Sequence, residues 1–334
     1  MTDECSAGVT RRIFTQAMLA GMLCAHPMLA AAASDSHQED MLRLLDDPLF
    51  HRGVNVAKIK PGTLDIEGVL QPGFEPGLPV WRLAQWYSHY DLLAAKAERL
   101  ADESVRYFDG AKSIAFGRAK SDASDLIFAL NGPVEYGGVS PAQGDAWPHL
   151  LVEQRMATNV ALPNVRQVRL AISYRLLKAE AHRDAGWSDA RHTAQFQIFL
   201  TIQNLNRASS GYGDYLWFGV PFFDARYPVP PKFSMKDASS AKKAGTGKFI
   251  FSAGGDVFGG KRAIDGDWIT LDQDVMPLMK EALAAAWDAG FLPASRDMSD
   301  YRIGGMNMGW EVTGLWDVAM QVRGLGLSEI VSAA

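Results

Sequence analysis

Between Gln195 and Asn204 the sequence alternates at every position. Gln195, Gln197, Phe199, Thr201 and Gln203 fall on one side; Phe196, Ile198, Leu200 and Ile202 fall on the other. A period of two marks a β-strand with one buried face, because successive side chains leave a strand in opposite directions. The side opposite the apolar row holds amides and a hydroxyl in place of the usual Lys and Glu. Further on, Tyr215, Trp217, Asp224 and Arg226 close an aromatic run. Uncharged hydrogen-bonding groups beside aromatic rings suit a polyhydroxylated ligand.

The same period recurs along the chain. Val168, Leu170, Ile172, Tyr174 and Leu176 alternate with Arg169, Ala171, Ser173 and Arg175. Val318, Met320 and Val322 alternate with Asp317, Ala319, Gln321 and Arg323. Residues 105–108, 113–117, 125–131, 149–156, 215–223, 248–253, 268–271 and 301–312 also read as strands, most of them bounded by Gly, Pro, Asn or Asp. Many strands with little intervening helix predict an all-β antiparallel sandwich or barrel. One helix stands out near residues 275–289. Its stripe is Val275, Leu278, Met279, Ala282, Leu283 and Ala286, with Asp274 as N-cap, Pro277 in the first turn and Gly290 at the end. Shorter helices are expected around residues 41–45 and 92–102.

Residues 1–33 read as a signal peptide. Arg11-Arg12-Ile13-Phe14 precedes an apolar core, and Ala31-Ala32-Ala33 is a small-residue cleavage site before Ser34. The paired arginines resemble a twin-arginine export signal; the alternative is an ordinary Sec signal containing Arg-Arg. A periplasmic or secreted protein is expected, with no membrane anchor after cleavage. Both cysteines, Cys5 and Cys24, fall inside this segment. The remainder has no disulfide and must rely on a sizeable core. Residues 34–104 are expected as an N-terminal extension packed on the main domain, and residues 105–330 as the β-sandwich.

The formal net charge of −5 argues against a nucleic-acid partner, whose usual footprint is a basic patch. The histidines are scattered and show no zinc-site spacing. Nucleotide-binding glycine motifs and the serine-hydrolase elbow are also missing. Carboxylates flanked by apolar residues remain as candidate acids: Glu135, Glu153 and Glu311. Burial raises a carboxyl's pKa and suits it to general acid work, and two such groups across a cleft are what glycoside hydrolysis needs. The rival reading is structural pairing, Glu153 with Arg155 or Arg175, and Asp224 with Arg226. Among the tryptophans, Trp287 and Trp268 are expected in the core, whereas Trp217 stands opposite the apolar positions Leu216, Phe218 and Val220.

The strand order, the amide-rich strand and the closing run from Trp316 to Leu327 together resemble a jelly-roll sandwich, in the style of carbohydrate-binding modules and concanavalin-like glycan-active domains. That resemblance implies a concave sheet face bearing aromatics and amides. It also implies a structural Ca²⁺, for which Asp265-Gly266-Asp267 and Asp272-Gln273-Asp274 offer oxygen ligands. The plainer reading of these aspartates is turn and helix-cap residues. No cofactor is expected, a structural Ca²⁺ at these aspartates being the alternative. The chain thus reads as a binder of a poly- or oligosaccharide through Gln195, Gln197, Gln203, Tyr215, Trp217, Asp224 and Arg226. The rivals are a glycoside hydrolase or polysaccharide lyase using Glu153 with Glu135 or Glu311, and an envelope structural or interaction protein.

Overall fold

The structure is a computed structural model and describes residues 40–59, 65–117, 125–156, 160–238, 245–263 and 266–331. The signal-peptide reading, with Arg11, Arg12, Cys5 and Cys24, falls outside them.

Strands β1 (Asp40–Arg43), β2 (Val54–Ala57), β3 (Ile66–Leu70), β4 (Trp81–Ala84), β5 (Ala97–Arg99), β6 (Val105–Phe108), β7 (Lys112–Phe116) and β8 (Leu126–Asn131) lead to a short helix, α1 (Gly132–Glu135). Then come β9 (His149–Arg155), β10 (Val165–Ala181), β11 (Thr193–Asn204), β12 (Tyr215–Asp224), β13 (Phe233–Lys236), β14 (Phe249–Ser252) and β15 (Ile269–Asp274). Helix α2 (Met276–Asp288), β16 (Tyr301–Thr313) and β17 (Trp316–Val331) complete the described chain.

The strands form two sheets. One has eight strands in the order β15-β10-β17-β8-β7-β6-β5, with β1 also on β17. The other has nine, in the order β13-β14-β12-β11-β16-β9-β4-β2-β3. Pairing is antiparallel except at β12–β14 and β2–β4. The protein is an all-β, jelly-roll-like sandwich with one longer helix at its side.

The alternation in the sequence explains the layering. On β11 Phe196, Ile198, Leu200 and Ile202 are fully buried between the sheets. Phe196 meets Phe128 of the opposite sheet at 5.4 Å between ring centroids, and Tyr174 meets Phe222 at 4.5 Å. Trp310 of β16 donates from its indole Nε1 to the Phe128 carbonyl at 3.1 Å, pinning sheet to sheet.

Helix α2 buries Met276, Met279, Ala282, Leu283 and Ala286 and packs against β10, β12 and β14. It begins one residue later than Asp274 alone suggests. The Asp274 carboxylate still caps it, accepting from the Met276 N–H at 3.0 Å and from Val168 N–H at 3.0 Å.

Local composition misled elsewhere. Where a helix was expected at 41–45, residues 40–43 form strand β1, drawn to the last residues of β17 by cross-strand pairing. In the 92–102 segment a single 3₁₀ turn, Leu92–Ala94, precedes strand β5. Residues 40–104 supply strands to both sheets, and β4 pairs with β9 at the heart of the nine-stranded one. Trp287 packs on the core, but Trp268 does not: it lies beneath the Arg323 and Arg175 guanidiniums, at 4.0 and 4.8 Å.

Candidate functional site

The polar side of β11 faces away from the slab, and a groove of about 680 Å³ lies over it. Its floor comes from adjacent strands in register. Gln195 of β11 stands opposite Asp224 of β12 on one side and Glu311 of β16 on the other. Glu311 in turn stands opposite His149 of β9. Asp224, Gln195, Glu311 and His149 therefore form one row across four strands. A second row places Gln197 by Gly309 and Leu151, with Asn307 beyond. The walls are aromatic: Trp86, Tyr87 and Trp147 at one side, Trp217 and Tyr227 at the other.

Each polar member has a defined environment. The Asp224 carboxylate accepts from Thr193 Oγ1 at 2.8 Å and from Gln195 Nε2 at 2.7 Å. Arg226 grips it through Nε at 3.0 Å and Nη2 at 2.6 Å, and its backbone N–H adds a bond at 3.0 Å. Burial would push this carboxyl up, but the Arg226 bonds and charge together with the Gln195 amide hold it below the usual aspartate range. Gln195 donates to Asp224 through Nε2, which fixes the orientation of its amide. His149 lies with Nε2 3.6 Å from Glu311 Oε2, and its ring meets Trp86 and Tyr87 at 5.7 and 5.8 Å. His149 Nδ1 and Trp86 Nε1 are buried and find no hydrogen-bond partner among the described residues.

Gln195, Gln197, Trp217, Asp224, Arg226 and Glu311 thus line one groove. Gln203 lies further along β11, its amide donating to the Gly213 carbonyl at 3.1 Å. Tyr215 stands behind Trp217, edge to face at 5.2 Å, with Lys248 over its ring. Glu153 shares the outer face of β9 but points to the β4 side. There it pairs with Arg82, whose Nε donates at 2.7 Å, and not with Arg155 or Arg175. Burial pushes the Glu153 carboxyl up against the pull of Arg82.

Glu153 and Glu311 do not face each other. Glu153 sits opposite Asn307, so four residues of strand part the two acids, about 13 Å at 3.3 Å per residue. Glu135 is removed altogether. It is 2% exposed at the end of α1, accepting from Ser88 Oγ at 2.5 Å and from the His89 N–H at 2.9 Å, with Lys112 Nζ at 3.8 Å. The sequence held a clue here: Asn131-Gly-Pro opens a helical turn, Asn131 accepting from the Val134 N–H at 3.0 Å, and no strand could place Glu135 on a sheet face.

The groove also contains residues that the sequence did not single out: Trp86, Tyr87, Trp147, His149 and Asn307. His149 shares the period-two face of Leu151 and Glu153, which was its one local signal.

For a metal, the aspartates near α2 are already engaged. Asp272 accepts from Arg169 Nε at 2.6 Å, Asp274 caps α2, and Asp265 lies outside the described residues. Among the described residues Glu180, His182 and Asp317 place ligand atoms within 4.8 Å of one another, but the Lys178 ammonium sits against both acids and supplies their counter-charge.

No protein-family profile matches the chain, and no curated protein matches it. Among solved structures it is similar to a native family 12 xyloglucanase from Bacillus licheniformis, at 11% identity and TM-score 0.39, covering 72% of this chain and 99% of that one. It is also similar to a metagenome-derived glycoside hydrolase family 12 endoglucanase, at 9% identity and TM-score 0.38, covering 75% and 98%. The family 11 xylanase from Neocallimastix patriciarum matches at 8% identity and TM-score 0.36, covering 75% and 99%.

Proposed function

We propose that the groove binds a poly- or oligosaccharide chain. One observation supports this most: amides and carboxylates from β11, β16 and β12 line its floor while tryptophan and tyrosine rings form both walls. Sugar rings present C–H faces to aromatics and hydroxyls at their edges, so a floor of hydrogen-bonding groups between rings matches them. The Gln195 amide is held by Asp224, which lowers the ordering cost of binding.

A hydrolytic reading has one observation of its own. Asp224 and Glu311 flank Gln195 on a single row, two strand spacings apart, about 10 Å between Cα atoms. Paired carboxylates at that scale are what glycoside hydrolysis uses, Asp224 being the ionised member and Glu311 the proton donor. Against it, the Asp224 oxygens are filled by donors from Arg226, Gln195 and Thr193.

A glycan array run beside a reducing-end release assay tests both readings. Wild type is expected to bind, and Trp217→Ala to weaken binding about tenfold or more, in line with the loss of an aromatic anchor. Release by wild type that Glu311→Gln abolishes, with binding kept, establishes hydrolysis. Binding without release leaves a binding protein. An array on which wild type captures nothing sinks the groove reading.

We also propose export, resting on Arg11-Arg12 and the Ala31-Ala32-Ala33 site. Mass spectrometry of protein recovered from a host's periplasm should find Ser34 as the first residue. A periplasm-free protein beginning at Met1 refutes it. Loss of export on Arg11→Lys/Arg12→Lys assigns the twin-arginine route.

A further inference from the structure

Four carboxamides stand on the outer faces of β11 and β16: Gln195, Gln197, Gln203 and Asn307. Two of them hold partners in the protein. Gln195 donates to Asp224, and Gln203 donates to the Gly213 carbonyl. Gln197 and Asn307 differ, for neither side chain makes a hydrogen bond among the described residues. Both residues are only 6% exposed, and both line the groove. Their polar ends are not sealed in. Among the described residues, unpartnered polar atoms without accessible surface lie on Trp86, Ser140, His149, Ser252 and Trp316. The little surface that Gln197 and Asn307 keep therefore includes their amide atoms, and it opens on the groove.

The register sets these two amides side by side. Gln197 lies opposite Gly309 and Phe199 opposite Asn307, so Gln197 and Asn307 are diagonal neighbours, about 7–8 Å apart. Gly309 raises no side chain between them. Its backbone runs so close to β9 that a Cβ would lie 2.1 Å from the Leu150 carbonyl oxygen, which keeps the position bare. Leu151 and Phe199 border the same patch with apolar surface. A mostly buried amide left open costs stability that an apolar side chain of the same size does not. A carboxamide carries an acceptor oxygen and a donor NH₂ next to each other. Two adjacent hydroxyls, each able to donate and accept, match that pair, whereas a lone anion or cation satisfies half of it.

We propose that Gln197 and Asn307 form one subsite of the groove, over Gly309, that reads adjacent free hydroxyls on a single sugar unit. The proposal rests on the groove being a glycan site. It narrows the ligand to chains whose unit at this place is neither O-acylated nor O-alkylated. A site built to hydrogen-bond a hydroxyl discriminates strongly against the analogue that lacks it, because its own polar atoms are then left unpaired.

The test is calorimetry with cellohexaose, xylohexaose, mannohexaose and maltohexaose, each beside its fully O-methylated copy. It is run on wild type, Gln197→Met and Asn307→Leu, with a thermal melt of each protein. Wild type is expected to bind at least one hexaose, and the O-methylated copy about tenfold or more weakly. Each variant should bind the free hexaose about tenfold more weakly than wild type and narrow the gap to the methylated copy. Their melting temperatures should equal or exceed that of wild type, since open amides make no contact that the fold uses. Binding lost while stability is kept is an outcome that purely structural amides do not give. Wild-type affinity in either variant, or equal binding of free and methylated chains, overturns the inference and leaves the groove reading standing. A melting temperature that falls in either variant overturns it too, assigning that amide to the fold. No hexaose bound in any arm overturns it as well, and the glycan array then decides the groove reading separately.

Discussion

Lys112→Met should cost about 3–5 kcal/mol of stability, the usual penalty for removing one partner of a buried ion cluster. Lys112 is 1% exposed on β7, and its Nζ donates to Ser88 Oγ at 2.7 Å, the Tyr90 carbonyl at 2.6 Å and Asp109 Oδ2 at 2.7 Å. Glu135 lies 3.8 Å away with no exposed side-chain surface. Removing the ammonium leaves the Glu135 and Asp109 carboxylates facing each other's field in a dry site. Methionine fills the stem's volume, so the loss reports the charge and not a cavity. For a domain of this size the melting temperature should fall by about 10 °C. Adding Glu135→Gln should recover part of it, because the amide can bond Ser88 and His89 without needing a cation. Chemical denaturation of the two single variants and the double variant measures that coupling. A single Lys112→Met variant as stable as wild type would show that the cluster is not what holds α1 to the sheet. Glycan binding by the folded fraction should not change, since none of these residues reaches the groove.

Glu135 shows where sequence reasoning stopped. Its neighbours are apolar, as a catalytic acid's are, but so are those of any buried ion-pair member. What separates the two is the direction of the side chain, and that depends on the turn made by Asn131-Gly132-Pro133. The amide row on β11 was legible for the opposite reason: a period of two fixes the face without knowing the partner strand. Register between strands was not legible. Glu311 meets His149 across β16 and β9, although nearly half the chain lies between them. No local pattern encodes that pairing, so the His149–Glu311 contact and the gap between Glu153 and Glu311 came only with the fold. Trp86, Tyr87 and Trp147 belong to loops, where side-chain direction has no period at all. Likewise β1 read as a helix because short apolar stretches lack a decisive period, and pairing with β17 decided it.

Asp224→Asn should weaken glycan binding about tenfold and lower stability by about 2 kcal/mol, the scale of hydrogen bonds to a charged group. The carboxylate holds both Gln195 and Arg226, so its loss acts on both at once. An asparagine can accept on one atom only, and its NH₂ meets donors from the other side. Gln195 is then free to turn, and Arg226 loses its counter-charge in the half-buried wall of the groove. The pH dependence has a definite sign. The folded carboxyl titrates below its unfolded value of about 3.9. Its contribution is therefore fully present above that value and is lost as pH falls through it toward the folded pKa. The stability gap between wild type and Asp224→Asn should be widest at pH 5 and above, and close progressively below about pH 4. Urea unfolding of both proteins across that range measures it. A gap that stays constant into acid would mean that Asp224 is not ionised in the folded protein, and the ordered floor of the groove would need another anchor. A gap that closes while binding weakens in parallel ties the groove-lining amide of Gln195 to the same carboxylate.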